Sequence, residues 1–253
     1  MSILRRGAVP GREFARVAAV LVAVKTYDTV AALRPLRDAL APDTPLVTLQ
    51  NGLEQVAHIE AALGPGRSIV LAPTTEAAMR LTGGEVRRSG IGLTRLGWAV
   101  DHVGTDDLDA LAEIFRDAGL RVEVVSPIEP FVWAKLVVNA ALNPVAALAG
   151  RPNGFVLDDA PAQRRLAALA WEACAVAAAE RITLPFSDPV EFVLGVARVT
   201  AANRCSLLQD LERGGPTEID AINGALVRRA AWSGVPVPEN VRAFDEVRRI
   251  AKA

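Results

Sequence analysis

The run VAAVLVAV at residues 17–24 is apolar throughout, the mark of a strand buried on both faces of a parallel sheet. Over residues 29–41 the apolar positions change period. Val30, Leu33, Leu36 and Leu40 fall on one side of a helix, which Pro42 stops. PLVTL at 45–49 predicts a second strand, Gln50-Asn51-Gly52 a turn, residues 56–63 a helix ended by Gly64-Pro65-Gly66, and residues 68–72 a third strand. This βαβαβ rhythm predicts a parallel sheet.

The rhythm breaks over residues 74–100. Glycines at 83, 84, 90, 92 and 97 interrupt short β-like pieces, which predicts an antiparallel extension of the sheet. A helix over 108–118, closed by Gly119, and a strand over 121–125 complete the first half. After Pro130 the chain turns helical and alanine-rich, with helical apolar spacing over 131–149, 161–180, 189–202 and 218–233. The pattern therefore predicts an α/β domain over residues 1–126 and an all-α domain over 127–253.

Composition narrows the function classes. The chain has 253 residues, 51% of them hydrophobic, enough to bury a sizeable core. With 28 basic and 29 acidic side chains, the net charge of -1 offers no field for nucleic acid. The two cysteines, Cys174 and Cys205, are too few for a disulfide framework and read as buried thiols. No export signal or membrane span is read, so the expectation is a cytoplasmic protein without membrane partners. The histidines, His58 and His102, stand apart from any metal-ligand partner, so no metal is expected.

The strongest candidate chemistry lies over residues 131–149. Lys135, Asn139 and Asn143 follow one another at intervals of four, so they share one helix face in an otherwise apolar segment. They line a polar cleft, are satisfied by neighbours, or form an exposed stripe. Pro144 frees a backbone carbonyl one turn earlier and bends the helix beside them. A second cluster is SLLQDLERGGPTEIDAIN at 206–223, where Thr217 starts a helix with Glu218 and Asp220 in its first turn. Capping of the helix dipole is the plain reading of those two carboxylates. Asn51, in Leu49-Gln50-Asn51-Gly52, and Lys25 sit just past predicted strands, at the edge where open α/β sheets hold ligands. A turn and a solvated lysine are the plain readings.

In this order and spacing, VAVKTYDT (22–29), LQNGLEQ (49–55), KLVVNAALNPVAAL (135–148) with RPNG (151–154), SLLQDLERGGPTEID (206–220) and INGALVRRAAWSGVPVPEN (222–240) resemble the ketopantoate reductase (2-dehydropantoate 2-reductase) family from about residue 17 onward. The resemblance implies a Rossmann-like domain followed by a helical domain of the 6-phosphogluconate-dehydrogenase type. It implies NADPH-dependent reduction of 2-dehydropantoate, or a related 2-oxo acid, in pantothenate biosynthesis. On the matching positions, Lys135 is the catalytic proton donor, and Glu218 orients both it and the substrate hydroxyl. Asn139, Asn143 and Ser206 hold the substrate, and Asn51 stands beside nicotinamide and substrate. Lys25 and Glu218 also lie on the cofactor side, and Asn240 is a weaker correspondence.

One departure stands out. The family opens with a strand, G-x-G-x-x-G and a helix, whereas only 16 residues precede Val17 and no such fingerprint is present. A βαβ unit needs about 30 residues or more, and Gly7 and Gly11 do not supply it. The first domain is therefore expected to be N-terminally incomplete, leaving an apolar edge strand that pairs with further chain or a second copy, hence a homodimer as one expected assembly. The alternative reading is a catalytically impaired remnant that serves as a small-carboxylate-binding or interaction module.

Overall fold

The structure is a computed structural model, and it describes residues 17–80, 84–99 and 106–251. The expectations attached to Gly7, Gly11, Gly83 and His102 lie outside the described residues. The chain forms two compact units. The first runs up to Gln50 and from Gln55 to Ile128; the second holds Asn51–Glu54 and everything from Glu129.

In the first unit, β1 (Val20–Val22), β2 (Leu46–Thr48) and β3 (Ile69–Leu71) pair in parallel, with Val20, Leu46 and Ile69 in register. β2 and β3 are buried along their whole length, as continuous apolar runs predict. β6 (Thr94–Trp98) joins β3 antiparallel, and β7 (Val122–Val124) joins β6 in parallel. The sheet order is β1-β2-β3-β6-β7. β4 (Ala77–Arg80) and β5 (Val86–Gly90) form a separate two-stranded antiparallel ribbon. So the glycine-rich stretch divides: half is a ribbon beside the sheet, half a strand within it. At Gly97, in β6, a Cβ atom would stand 2.5 Å from the Ile128 side chain, so only glycine fits there. Leu108, Leu111, Ala112 and Phe115 of α3 (Asp106–Asp117) pack on Val47, Val70 and Leu96 to form the core.

α2 (Gln55–Leu63) forms where expected, but the preceding helix is shorter than its apolar spacing predicts. α1 spans Thr29–Leu33 and gives way to a 3-10 turn at Arg34–Leu36. Pro35 explains the break: it has no N–H for the Ala31 carbonyl, so the α ladder stops well before Pro42.

The second unit is built around α4 (Glu129–Ala149), with α5 (Ala160–Ala179), α6 (Pro189–Val199), α7 (Ser206–Glu212), α8 (Ala225–Ser233) and α9 (Pro238–Ala251). α4 is long and apolar enough to cross a membrane by length and composition, and 72% of its most apolar window is buried within the fold. Leu136, Ala140, Leu142 and Val145 of α4 pack with Leu166, Leu169 and Ala173 of α5 and with Leu226 of α8. Burying each of these leucines and Val145 contributes roughly 1.5–3 kcal/mol, and the alanines less. The region expected to be one helix over 218–233 divides in two: residues Asp220–Gly224 form a π turn, and α8 begins only at Ala225. Gly224 N donates to Ile219 O at 2.9 Å, the i→i+5 bond of that turn. Such single turns often occur at functional sites.

Candidate active site

All the residues of this site belong to the second unit. α4 sets Lys135, Asn139 and Asn143 on one face, and Asn143 is only 7% exposed. The segment just before the π turn brings Glu218, also 7% exposed, and Asn51 enters on the Asn51–Glu54 excursion. Asn143 Nδ2 donates to Asn139 Oδ1 at 3.4 Å, Asn139 Nδ2 to Asn51 Oδ1 at 3.5 Å, and Asn51 Nδ2 to Glu218 Oε2 at 3.2 Å. Three amides thus form a directed chain that ends on a carboxylate. Its links lie at the long end of hydrogen-bond geometry.

The Asn51 excursion is seated by its neighbours. Gly52 has φ +94°, and a Cβ there would meet the Ala221 carbonyl oxygen at 2.2 Å, so this turn requires glycine. Leu53 packs against the core of the unit. Arg228 closes a bidentate pair on Glu54, at 2.9 and 2.7 Å, and donates a further bond to Asp220 O at 2.8 Å. The loop carrying Asn51 is therefore fastened to the π turn and α8.

Lys135 is partly buried on α4, with the Glu218 carboxylate near it. Desolvation draws its pKa down from 10.5 to about 8, and the nearby Glu218 carboxylate offsets part of that fall. An amine in this state can give or take a proton near neutrality, which few lysines can do.

Ser206 opens α7 and Asp210 follows one turn later. With Asn139, Asn143, Glu218 and Asn223 they line a cavity of about 10 Å³, room for roughly one water molecule. Cys205 caps α7 through Sγ, which accepts from Leu208 N at 3.5 Å and donates to Asn143 O at 3.6 Å. Burial raises its thiol pKa to about 11, so it acts as a structural thiol.

Lys135, Asn139, Asn143, Ser206, Glu218 and Asn51 thus come together. Lys25 belongs to the first unit, where its carbonyl accepts from Asp28 N at 2.9 Å just beyond β1. Asn240 is fully buried and bonded to Asn223, Leu169 and Glu172, and is absent from the cavity wall. Asp210 and Asn223, both inside the 206–223 cluster but without a role in the sequence reading, also line the wall. For Asp210 the four-residue step from Ser206 on α7 was the available signal.

Sequence comparison bears on this arrangement. The family model "Ketopantoate reductase PanE/ApbA" matches residues 5–100, and "Ketopantoate reductase PanE/ApbA C terminal" matches residues 128–251. A 2-dehydropantoate 2-reductase of Archaeoglobus fulgidus is 37% identical over 230 residues, covering 90% of this chain and 75% of the relative. That of Halobacterium salinarum is 34% identical, covering 92% and 75%. The crystal structure of a PanE/ApbA family ketopantoate reductase from Ralstonia eutropha superposes with a TM-score of 0.84 at 31% identity, covering 95% of this chain and 78% of that one.

Proposed function

The chain belongs to the ketopantoate reductase family, and we propose that it reduces 2-dehydropantoate, or a closely related 2-oxo acid, to the 2-hydroxy acid with NADPH as hydride donor. The observation that carries this reading is Lys135, whose pKa is drawn to about 8 beside Glu218. A 2-oxo acid needs a proton donor at its ketone oxygen and neutral donors for its carboxylate and hydroxyl, and one face of the second unit supplies both.

The described residues fit the nicotinamide end of a dinucleotide. Asn51 offers an amide bonded to Glu218, and Lys25 follows β1 at the carboxyl end of a parallel sheet, the usual edge for a dinucleotide. A bound dihydronicotinamide supplies the hydride. The chain's own residues do the rest. Lys135 Nζ donates to the ketone oxygen and passes its proton there as the carbonyl carbon becomes tetrahedral. Glu218 accepts the substrate hydroxyl and keeps the ammonium in place. Asn139, Asn143 and Ser206 hold the substrate's hydroxyl and carboxylate, and the long links of the amide chain exchange readily for bonds to substrate. Holding the reacting groups in line contributes much of the acceleration such a site achieves. A cytoplasmic homodimer acting only on small molecules belongs to the same reading.

The alternative of a binding module without turnover finds no support among the relatives, whose names are those of the reductase. The test is titration of the purified chain with NADPH, followed by fluorescence, and then addition of 2-dehydropantoate. Saturable binding and oxidation of the cofactor are expected; a folded chain that neither binds nor oxidises NADPH overturns the proposal.

A further inference from the structure

Pro144 stands inside α4 and has no N–H, so the Ala140 carbonyl one turn earlier lacks its helical donor. That carbonyl is deeply enclosed: Ala140 is 0% exposed. A buried acceptor in this state demands a partner. The partner is Asn223, whose Nδ2 reaches Ala140 O at 3.0 Å.

Asn223 is itself 0% exposed and lies in the π turn that follows Glu218. The second proton of its Nδ2 goes to Asn240 Oδ1, also at 3.0 Å. The orientation of both amides is settled by their surroundings. Asn240 Nδ2 must face two acceptors, Leu169 O at 3.2 Å and Glu172 Oε2 at 2.8 Å, so its oxygen is left for Asn223. Asn223 must then present its nitrogen to both Ala140 and Asn240.

This bond joins the two elements that carry the site. On one side is the stretch of α4 between Asn139 and Asn143, one turn beyond Lys135. On the other is the turn that holds Glu218. Asn223 also lines the same cavity as Asn139, Asn143, Ser206 and Glu218. We propose that Asn223 is a positioning residue for the reaction, locking the Lys135 helix to the Glu218 turn through the carbonyl that Pro144 leaves open. This rests on the reductase reading above. Pro144 thereby becomes part of the device, since an ordinary residue at 144 would fill the Ala140 carbonyl from within the helix and release the cross-link.

The test compares Asn223→Ala, Pro144→Ala and the double variant. In Asn223→Ala, kcat falls about tenfold to a hundredfold and KM for 2-dehydropantoate rises, as expected for a misplacement near 1 Å, while KM for NADPH stays unchanged. In the double variant the N–H restored at position 144 satisfies the buried carbonyl. Thermal stability then recovers towards the parent, but the KM and kcat defects persist. A merely structural role predicts the opposite: only the active fraction changes, and the double variant is kinetically normal.

A second readout does not depend on turnover. The chain has three lysines, Lys25, Lys135 and Lys252, so 13Cε NMR can follow the titration of each. Loosening the turn admits water to Lys135 and moves its midpoint up in Asn223→Ala and in the double variant. An unmoved midpoint with normal KM values overturns the proposal, as does failure of both Asn223 variants to fold. If the unaltered chain turns over no 2-dehydropantoate, the reductase reading fails, and the NMR titration still decides the role of Asn223.

Discussion

Two amide networks lie within a few turns of each other in the second unit, and they differ in a way that separates chemistry from scaffolding. The first runs Asn143–Asn139–Asn51–Glu218, with links of 3.2 to 3.5 Å and an open side at Asn51 and Asn139. The second runs Asn223–Asn240–Glu172, with links of 2.8 to 3.0 Å; both asparagines are 0% exposed, and Glu172 also accepts the backbone N–H groups of Glu239 and Asn240 at the start of α9. The residue types are nearly the same. In the tight network every amide N–H is held and a helix N-terminus receives a carboxylate, so no amide donor is left to offer a ligand. In the loose one the amides make only weak bonds to each other and give them up at little cost. Length of bond and burial, rather than residue identity, tell which amides wait for a substrate.

The sharpest break of that comparison is at Lys135. Lys135→Ala removes the proton donor and should lower kcat by about 10²- to 10⁴-fold with the fold intact, checked by steady-state oxidation of NADPH and circular dichroism. Retention of turnover would remove the lysine from the mechanism. Next is Asn240→Ala in the tight network, which should cost about 1–3 kcal/mol of stability, since it leaves the Glu172 carboxylate and Asn223 short of partners. Its KM for the 2-oxo acid should stay near that of the parent, measured alongside urea unfolding. Asn139→Ala in the loose network should do the reverse: KM rises about tenfold, and stability changes by less than about 1 kcal/mol. If the two variants behave alike, the division between the networks is wrong.

Much of this was legible beforehand. Parallel β1 to β3 follow from apolar runs set between helical periods, and the face shared by Lys135, Asn139 and Asn143 follows from spacing alone. What periodicity does not carry is the outcome of local contests. The 29–41 pattern keeps helical spacing, yet Pro35 withholds one N–H and the α form stops at Leu33. Across 218–224 the apolar spacing is helical as well, but the chain takes a wider π turn that places Asn223 against Ala140. The turn meets the carbonyl left open by Pro144, 79 residues before Asn223, and no local window contains both. Asn240 is the weaker correspondence in sequence, and burial and bonding take it out of the cavity wall that Asn143 lines. α9 was passed over although Pro238 at its start and Ala243 and Val247 at helical spacing announce it.

The pH dependence sharpens the role of the lysine further. As proton donor Lys135 must begin protonated, so kcat should decline as pH rises through about 8, with the parent titrating there by 13Cε NMR. Stability should move the other way. The folded pKa lies below the ordinary 10.5, so the unfolded chain holds the proton more tightly, and folding carries a penalty below about 8 that fades between 8 and 10.5. Urea midpoints should therefore rise over that interval in the parent by more than in Lys135→Met. Equal slopes would mean that the amine is not desolvated in the folded chain.

The smallest effect expected is at Arg228. Its pair with Glu54 is partly exposed on both sides, 46% and 31%, so as an ion pair it should contribute no more than about 1 kcal/mol and weaken with salt. Its use is geometric: it fastens the excursion that presents Asn51 to Glu218. Arg228→Met keeps most of the apolar stem and removes both bonds to Glu54 and the bond to Asp220 O. Stability should then change little, while KM for the 2-oxo acid rises about two- to fivefold and kcat holds, because the loose network tolerates a shift that a rigid one would not. Adding salt to the parent should reproduce part of that rise. A variant with unchanged KM would show that Gly52 on Ala221 and Leu53 in the core hold Asn51 without the arginine, and would move the seat of the loop from charge to packing.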